Sequence, residues 1–196
     1  YKLKYIYIFI NGLPYQQGVF KGGSTSISTE IPKTFFDLKA RDIDGKVVDF
    51  NNSKTGNAYG CKCGLQVRPY LTKLQGNGQN AQLIEQKGFK FWLFPATSSL
   101  TKKAIIGEIK SFVQKNFNAS FPIFQKSQVN GVNPNPVFGY LRTHSELFDS
   151  KTGQAKVIPW NFAKFILDRN GTVIKFAPPT MTPEELRPII LKQLEN

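Results

Sequence analysis

The sequence predicts an α/β protein, a three-layer α/β/α sandwich around a central mixed sheet. Three observations predict it. Short apolar runs of strand length alternate with longer stretches that carry apolar residues at helical spacing. Two turn signals, Asp44-Gly45 and Asn170-Gly171, separate strand-like runs and mark antiparallel hairpins. Hydrophobic residues make up 40% of the 196, with 17 Phe, which fills the space between layers and excludes wholesale disorder.

The elements follow in order. Residues 1–10 are apolar and short; an edge strand, the stub of a longer apolar helix and an anchor docked on a partner are all open readings. Gly22-Gly23-Ser24-Thr25-Ser26 reads as a flexible linker. The division expected is therefore an N-terminal extension and linker over 1–31 and a folded domain over 32–196. Residues 34–40 read as a strand, and Asp44-Gly45 turns it into a second over 46–50. Residues 66–86 read as a helix that Gly76-Asn77-Gly78 breaks or bends. Residues 89–94 are a mostly apolar run that Pro95 stops, as a central strand requires. Ile105, Ile109, Phe112 and Val113 recur at helical spacing within 103–117. Residues 162–167 and 172–176 form a hairpin around Asn170-Gly171. Thr182-Pro183-Glu184-Glu185 is a capping box with Pro at the first helical position, and it opens a C-terminal helix interrupted by Pro188.

Charge and composition narrow the function. Lys and Arg number 26 against 13 Asp and Glu, a net charge of +13. The resulting field attracts anionic partners: nucleic acid, acidic headgroups, glutathione or an acidic protein face. The lysines are scattered, with no run longer than Lys102-Lys103, so specific nucleic-acid binding is not expected. No stretch approaches the roughly 18 apolar residues of a membrane span. A basic balance is common in the mitochondrial matrix; the compartment expected is mitochondrial or cytoplasmic, and a chain opening on Tyr1 leaves room for a leader. Two cysteines make no disulfide framework and supply half a tetrahedral metal site, and the single His144 adds no pair, so no metal site is expected.

The distinctive stretch is Asn57-Ala58-Tyr59-Gly60-Cys61-Lys62-Cys63-Gly64-Leu65-Gln66. Cys63 stands where a strand region gives way to a predicted helix, with Lys62 beside it. A helix N-terminus and a neighbouring cation both stabilise a thiolate, the nucleophilic form of the side chain. Gly64 leaves room for a substrate to approach the sulfur. The bland reading is a small buried hydrophobe.

At these residues the chain resembles the glutathione peroxidase family. Lys62-Cys63-Gly64-Leu65 is similar to the family's active-site motif, and Phe94-Pro95 to the end of its second core strand. Phe121-Pro122-Ile123-Phe124 with Val129-Asn130-Gly131 and Pro136-Val137-Phe138 resembles its middle signature. Trp160-Asn161-Phe162-Ala163-Lys164-Phe165, followed by Asp168-Arg169-Asn170-Gly171, resembles its third. The resemblance spans about residues 35–194 and implies a thioredoxin-like fold. It also implies a peroxidatic residue at Cys63 that attacks the O–O bond of a hydroperoxide and is reduced again by glutathione or thioredoxin, with no bound cofactor. Trp160 and Asn161 match the family's donor pair; an indole N–H and an amide can hold a thiolate ionised. Lys62 is a candidate for steering glutathione.

Two departures qualify the expectation. The family's catalytic Gln falls at Ser98, in Phe94-Pro95-Ala96-Thr97-Ser98-Ser99, and a hydroxyl lacks the reach and paired donors of an amide. Losing one preorganised donor costs about 10²–10³ in rate at oxyanion-type sites, so turnover is expected to be reduced. The resolving Cys of thioredoxin-dependent members falls at Gln114, which excludes that disulfide; a Cys61–Cys63 ring is tight, and an external thiol is the simpler reductant. The short stretch over 143–159 resembles the monomeric, phospholipid-hydroperoxide type. The leading reading is thus a thiol-dependent peroxidase. The alternative is a weakened, peroxidase-like accessory subunit held in a larger assembly through residues 1–31. A third is a redox sensor oxidised at Cys63 without rapid turnover.

Overall fold

The computed structural model describes residues 6–11, 23–28, 30–53, 89–94, 123–159 and 163–195. In chain order the described strands are β1 (Ile6–Asn11), β2 (Ser24–Thr25), β3 (Lys39–Arg41), β4 (Val47–Asp49), β5 (Phe89–Phe94), β6 (Phe148–Asp149), β7 (Gln154–Lys156), β8 (Lys164–Leu167) and β9 (Val173–Ala177). The described helices are α1 (Pro136–Thr143) and α2 (Pro183–Glu195), with 3₁₀ turns at Phe35–Asp37 and Phe50–Ser53. The predicted helices over 66–86 and 103–117 lie outside the described residues.

The main sheet runs β5-β1-β8-β9. β1 is parallel to β5 and antiparallel to β8, and β8 and β9 form an antiparallel hairpin, so the sheet is mixed as the sequence predicts. For residues 6–11 the strand reading holds, in an interior rather than an edge position. Two smaller sheets stand beside it, β2-β7-β6 and β3-β4.

The pleat sorts the main sheet into two faces. On one, Phe94, Phe165, Leu167 and Phe176 join a buried cluster with Phe35 of the first 3₁₀ turn, Phe124 of the bridge to Asp42, and Phe138 and Leu141 of α1. The ring pairs Phe165–Phe176 and Phe35–Phe50 have centroids 5.1 and 4.9 Å apart, within the range where tilted aromatic contacts are favourable. On the other face Lys164, Ile166 and Ala177 are buried outside that cluster, and α2, with Leu186 and Ile190 buried, lies against β1. Helix, sheet and helix make the three layers.

Local chemistry explains most boundaries. The expected strand over 34–40 is shortened to β3, because Thr34 closes a 3₁₀ turn instead: its N–H and Oγ1 both donate to Asp37 Oδ2, at 3.3 and 2.9 Å. Phe35 and Phe36 are both buried within that turn. At the β3–β4 turn Gly45 has φ +86° and its N–H donates to Asp42 O at 2.9 Å. In the β8–β9 hairpin, Asp168 Oδ1 accepts from Asn170 N and Thr172 N at 2.8 and 2.9 Å, and Gly171 takes φ +82°. A Cβ on Gly171 would stand 2.8 Å from Phe35 Cβ, so glycine is required there for space as well as for conformation. The Thr182–Glu185 capping box forms, with Thr182 N donating to Glu185 Oε2 at 2.7 Å and Glu185 N to Thr182 Oγ1 at 3.3 Å.

Candidate active site

One end of the main sheet gathers the strand termini that flank the sequence-predicted site. β1 and β5 finish there side by side, Asn11 opposite Phe94. β8 starts at the same end, Lys164 opposite Ile10. Neighbouring strands lie about 4.8 Å apart, so β1 sets the end of β5 and the start of β8 about 10 Å from each other. Ligands of open α/β sheets bind beyond the carboxyl ends of parallel strands, which is this end. Phe94 leads in sequence to Ser98, and Ala163 follows Trp160-Asn161-Phe162.

These termini are held firmly. Phe94 is fully buried; its ring stacks on Phe124 with centroids 4.2 Å apart and meets Phe138 edge to face at 5.4 Å. Asn130 grips the chain two residues before Trp160 from both sides: Asn130 Nδ2 donates to Ile158 O at 3.0 Å and Ile158 N donates to Asn130 Oδ1 at 2.8 Å. Arg142 on α1 is fully buried and is bonded to oxygens from three segments. Its Nε donates to Lys156 O, its Nη1 to Gly131 O, and its Nη2 to Ala155 O and Thr25 Oγ1, at 3.2, 3.2, 2.9 and 2.8 Å. Burial pushes its pKa down from the ordinary value, and four acceptors stand in for water around the charge.

Lys164, the first residue of β8, is 2% exposed, and its Nζ donates to Met181 O at 2.9 Å. Burial lowers its pKa from 10.5 to about 8, opposed by the nearby Glu185 carboxylate. Glu185 is itself held below its ordinary value, first by the Thr182 backbone N–H.

Of the residues the sequence singles out, Lys62, Cys63, Ser98, Trp160 and Asn161 lie outside the described residues, as do Cys61 and Gln114. His144 is described: it is exposed, stacks on Tyr140 with centroids 3.9 Å apart, and keeps Nδ1 3.0 Å from Tyr140 O, a hydrogen-bonded surface histidine. Asn130, Arg142 and Lys164 are the positioning residues that sequence reasoning missed. Asn130 and Lys164 stand inside segments noted only as signatures, and an arginine reads as surface unless its partners are known.

A layered mixed sheet in this order, with its antiparallel hairpin and C-terminal helix, defines the thioredoxin-like class of α/β proteins. Residues 35–142 match the family model described as glutathione peroxidase. The chain belongs to the glutathione peroxidase family. It is 31% identical over 161 residues to the glutathione peroxidase homolog BsaA of Bacillus subtilis, covering 82% of this chain and 91% of that one. It is 30% identical to the probable mitochondrial glutathione peroxidase 3 of Arabidopsis thaliana, covering 100% and 93%. Among solved structures it resembles T. cruzi GPX1, with a TM-score of 0.55 at 24% identity over 84% of this chain and 98% of that one. It likewise resembles Trgpx in apo form, with a TM-score of 0.57 at 20% identity over the same shares. These two likenesses carry the fold.

Proposed function

We propose that the chain is a thiol peroxidase whose nucleophile is Cys63, with Trp160 and Asn161 as hydrogen-bond donors and Ser98 in the place of the family's amide. Thiol-dependent peroxide reduction is the activity class that family membership supports. The observation that supports the assignment of residues is the sheet end at which β5 finishes, four residues before Ser98 in sequence, and β8 begins, three residues after Asn161. The clamps of Asn130 and Arg142 support it, because preorganised donors need a fixed backbone beneath them.

The thiolate of Cys63 attacks the distal oxygen of a hydroperoxide. The O–O bond breaks, the sulfur becomes a sulfenic acid and the alkoxide leaves as an alcohol after taking a proton. One external thiol then displaces water to give a mixed disulfide, and a second releases the Cys63 thiol and an external disulfide. Glutathione or thioredoxin serves as that reductant. Turnover is reduced because Ser98 offers one short donor where an amide offers two. The mitochondrial or cytoplasmic compartment belongs to the same proposal.

The test is steady-state hydroperoxide consumption with glutathione or thioredoxin, comparing the wild type, Cys63→Ser and Ser98→Gln. Consumption that vanishes in Cys63→Ser and rises about ten-fold or more in Ser98→Gln is expected. Equal rates for wild type and Cys63→Ser would remove the enzyme assignment. One stoichiometric oxidation of Cys63 without turnover would replace it by the sensor reading.

A further inference from the structure

The sequence holds four Asn-Gly pairs, at 11–12, 77–78, 130–131 and 170–171, and the last two lie wholly within the described residues. An asparagine before glycine carries a reaction of its own. The glycine backbone nitrogen, once its proton is removed, attacks the asparagine Cγ, and no Cβ on the glycine obstructs the approach. The side-chain nitrogen leaves as ammonia and a five-membered succinimide closes. Water then opens the ring at either carbonyl, giving isoaspartate or aspartate. The balance is one water consumed and one ammonia released, with nothing oxidised or reduced.

The two described pairs sit in opposite settings. Both polar ends of the Asn130 side chain are engaged, Nδ2 donating to Ile158 O at 3.0 Å and Oδ1 accepting from Ile158 N at 2.8 Å. Before its Cγ can reach Gly131 N, both bonds must break. Ile158 is 1% exposed, and the neighbouring Ala155 O and Lys156 O are held by Arg142. Asn170 is exposed at the tip of the β8–β9 hairpin. Its backbone N is held by Asp168 Oδ1 at 2.8 Å, but among the described residues its side-chain amide makes no hydrogen bond. One bond restrains the nucleophile there, Gly171 N donating to Asp168 O at 3.0 Å. Opening a hairpin tip takes far less free energy than opening a buried segment.

We propose that Asn170 is a self-modification site, which in the folded chain converts through the succinimide to isoaspartate and aspartate, while Asn130 is kept intact by its clamp. The change accumulates with the age of the molecule. Either product puts a new carboxylate close to that of Asp168. Isoaspartate also routes the backbone through the side-chain carbon and lengthens the turn by one atom. The lengthened turn bears on Gly171, whose backbone packs against Phe35 and Phe36 and whose O accepts from Tyr140 Oη at 3.3 Å. The reaction involves nothing at Cys63, so it stands or falls apart from the peroxidase assignment.

The test is incubation of the full wild-type chain in mildly alkaline, oxygen-labelled water, native and in urea, followed by cleavage after lysine and mass spectrometry. Asn170 falls in the peptide 165–175 and Asn130 in the peptide 127–151. Asn133 and Asn135 of the second peptide each precede Pro, whose nitrogen has no proton to lose, so they do not compete. In the native chain 165–175 should convert about ten-fold or more faster than 127–151, because Asn130 must give up two hydrogen bonds to buried backbone. In urea, where the clamp is gone, the ratio should fall to about two-fold or less. The 165–175 product should carry one labelled oxygen and accept a methyl group from an isoaspartate-specific methyltransferase. Asn170→Gln, which would have to close a six-membered ring, should remove conversion of 165–175 and leave 127–151 as it was. Equal native rates for the two peptides, an unconverted 165–175, or aspartate as its only product overturns the proposal.

Discussion

The sheet end and the basic groove between the β3–β4 hairpin and the segment over 125–135, which Lys39, Arg41 and Lys126 line, are built by opposite means. At the sheet end, the contacts that hold the backbone join residues far apart in sequence: Arg142 to Thr25 across 117 residues, Asn130 to Ile158 across 28, and β1 to β5 and β8. At the groove the side-chain contacts join near neighbours, Arg41 to Gly45 across 4, Ser127 to Gln125 across 2 and Asn135 to Ser127 across 8, and the two loops are tied together by the backbone bond from Gln125 N to Arg41 O at 2.9 Å. The first region exists only when the whole sheet is assembled, and its chemistry is coupled to global stability. The second is shaped by two loops joined through the Asp42–Phe124 bridge, and its exposed charges are replaceable without disturbing the core. The same contrast bears on residues 6–11: a partner that took this segment as an anchor would have to compete with pairing on both of its sides.

The largest break in this comparison is Ile8→Pro. Ile8 pairs with Phe91 on one side and Ile166 on the other. Proline removes a ladder hydrogen bond and crowds an interior strand, a loss of about 3 kcal/mol or more. Separation of β5 from the β8–β9 hairpin should follow, read as loss of a cooperative thermal transition in circular dichroism. If Ile8→Pro melts like the wild type, β1 is not the interior strand. Arg41→Ala with Lys126→Ala should melt within about 0.5 kcal/mol of the wild type, as exposed substitutions do.

Next comes Arg142→Leu. It removes the guanidinium donors from Ala155 O, Lys156 O and Thr25 Oγ1, while Gly131 O keeps the Thr25 hydroxyl as a donor. Each unsatisfied buried acceptor costs about 1–3 kcal/mol before relaxation, so a net loss of about 3 kcal/mol in urea unfolding is expected. Hydrogen exchange should rise first around 155–158, next to the chain that leads to Trp160. A variant with unchanged stability would show that the guanidinium is dispensable and that the loops are held by packing alone.

Legibility in the sequence follows the same divide. β5, the hairpins at Asp44-Gly45 and Asn170-Gly171, and the capping box at Thr182 are all set by adjacent residues, and each is where the sequence puts it. α1 carries a readable signal, Asn135 as N-cap with Pro136 behind it, but eight residues give too little periodicity to detect. The interior place of β1 was not legible, because a strand's partners are chosen by tertiary packing and an apolar run fits an edge, a core or an interface equally well. Phe35 and Phe36 looked like strand residues because composition does not reveal that both are buried in one 3₁₀ turn. For the candidate site, the motifs around Cys63, Ser98 and Trp160 pointed to a chemistry. The clamps that steady their flanks involve an Asn, an Arg and a Lys whose partners lie in other segments, and no local pattern announces those.

The finest probe of the sheet end is Lys164, where a buried ammonium makes stability depend on pH. Its folded pKa, about 8, is below its ordinary 10.5. Between these values the unfolded chain holds more protons on this group than the folded one, so its contribution to stability rises with pH across that window and is least below about pH 8. A rise of about 3 kcal/mol is expected from a shift of this size, in which the opposing effect of Glu185 is already included. Tyr140 works the other way above pH 10, since burial pushes its phenol up and the folded state then holds the proton longer. Comparison with Lys164→Met separates the two, because the tyrosine contributes equally to both proteins. Urea unfolding at intervals from pH 7 to 10.5 should give a wild-type curve that rises against the Lys164→Met curve, while Arg41→Lys at the groove tracks the wild type throughout. Parallel curves for wild type and Lys164→Met would mean that the ammonium reaches water, and the sheet end would then be less enclosed than its hydrogen bonds indicate.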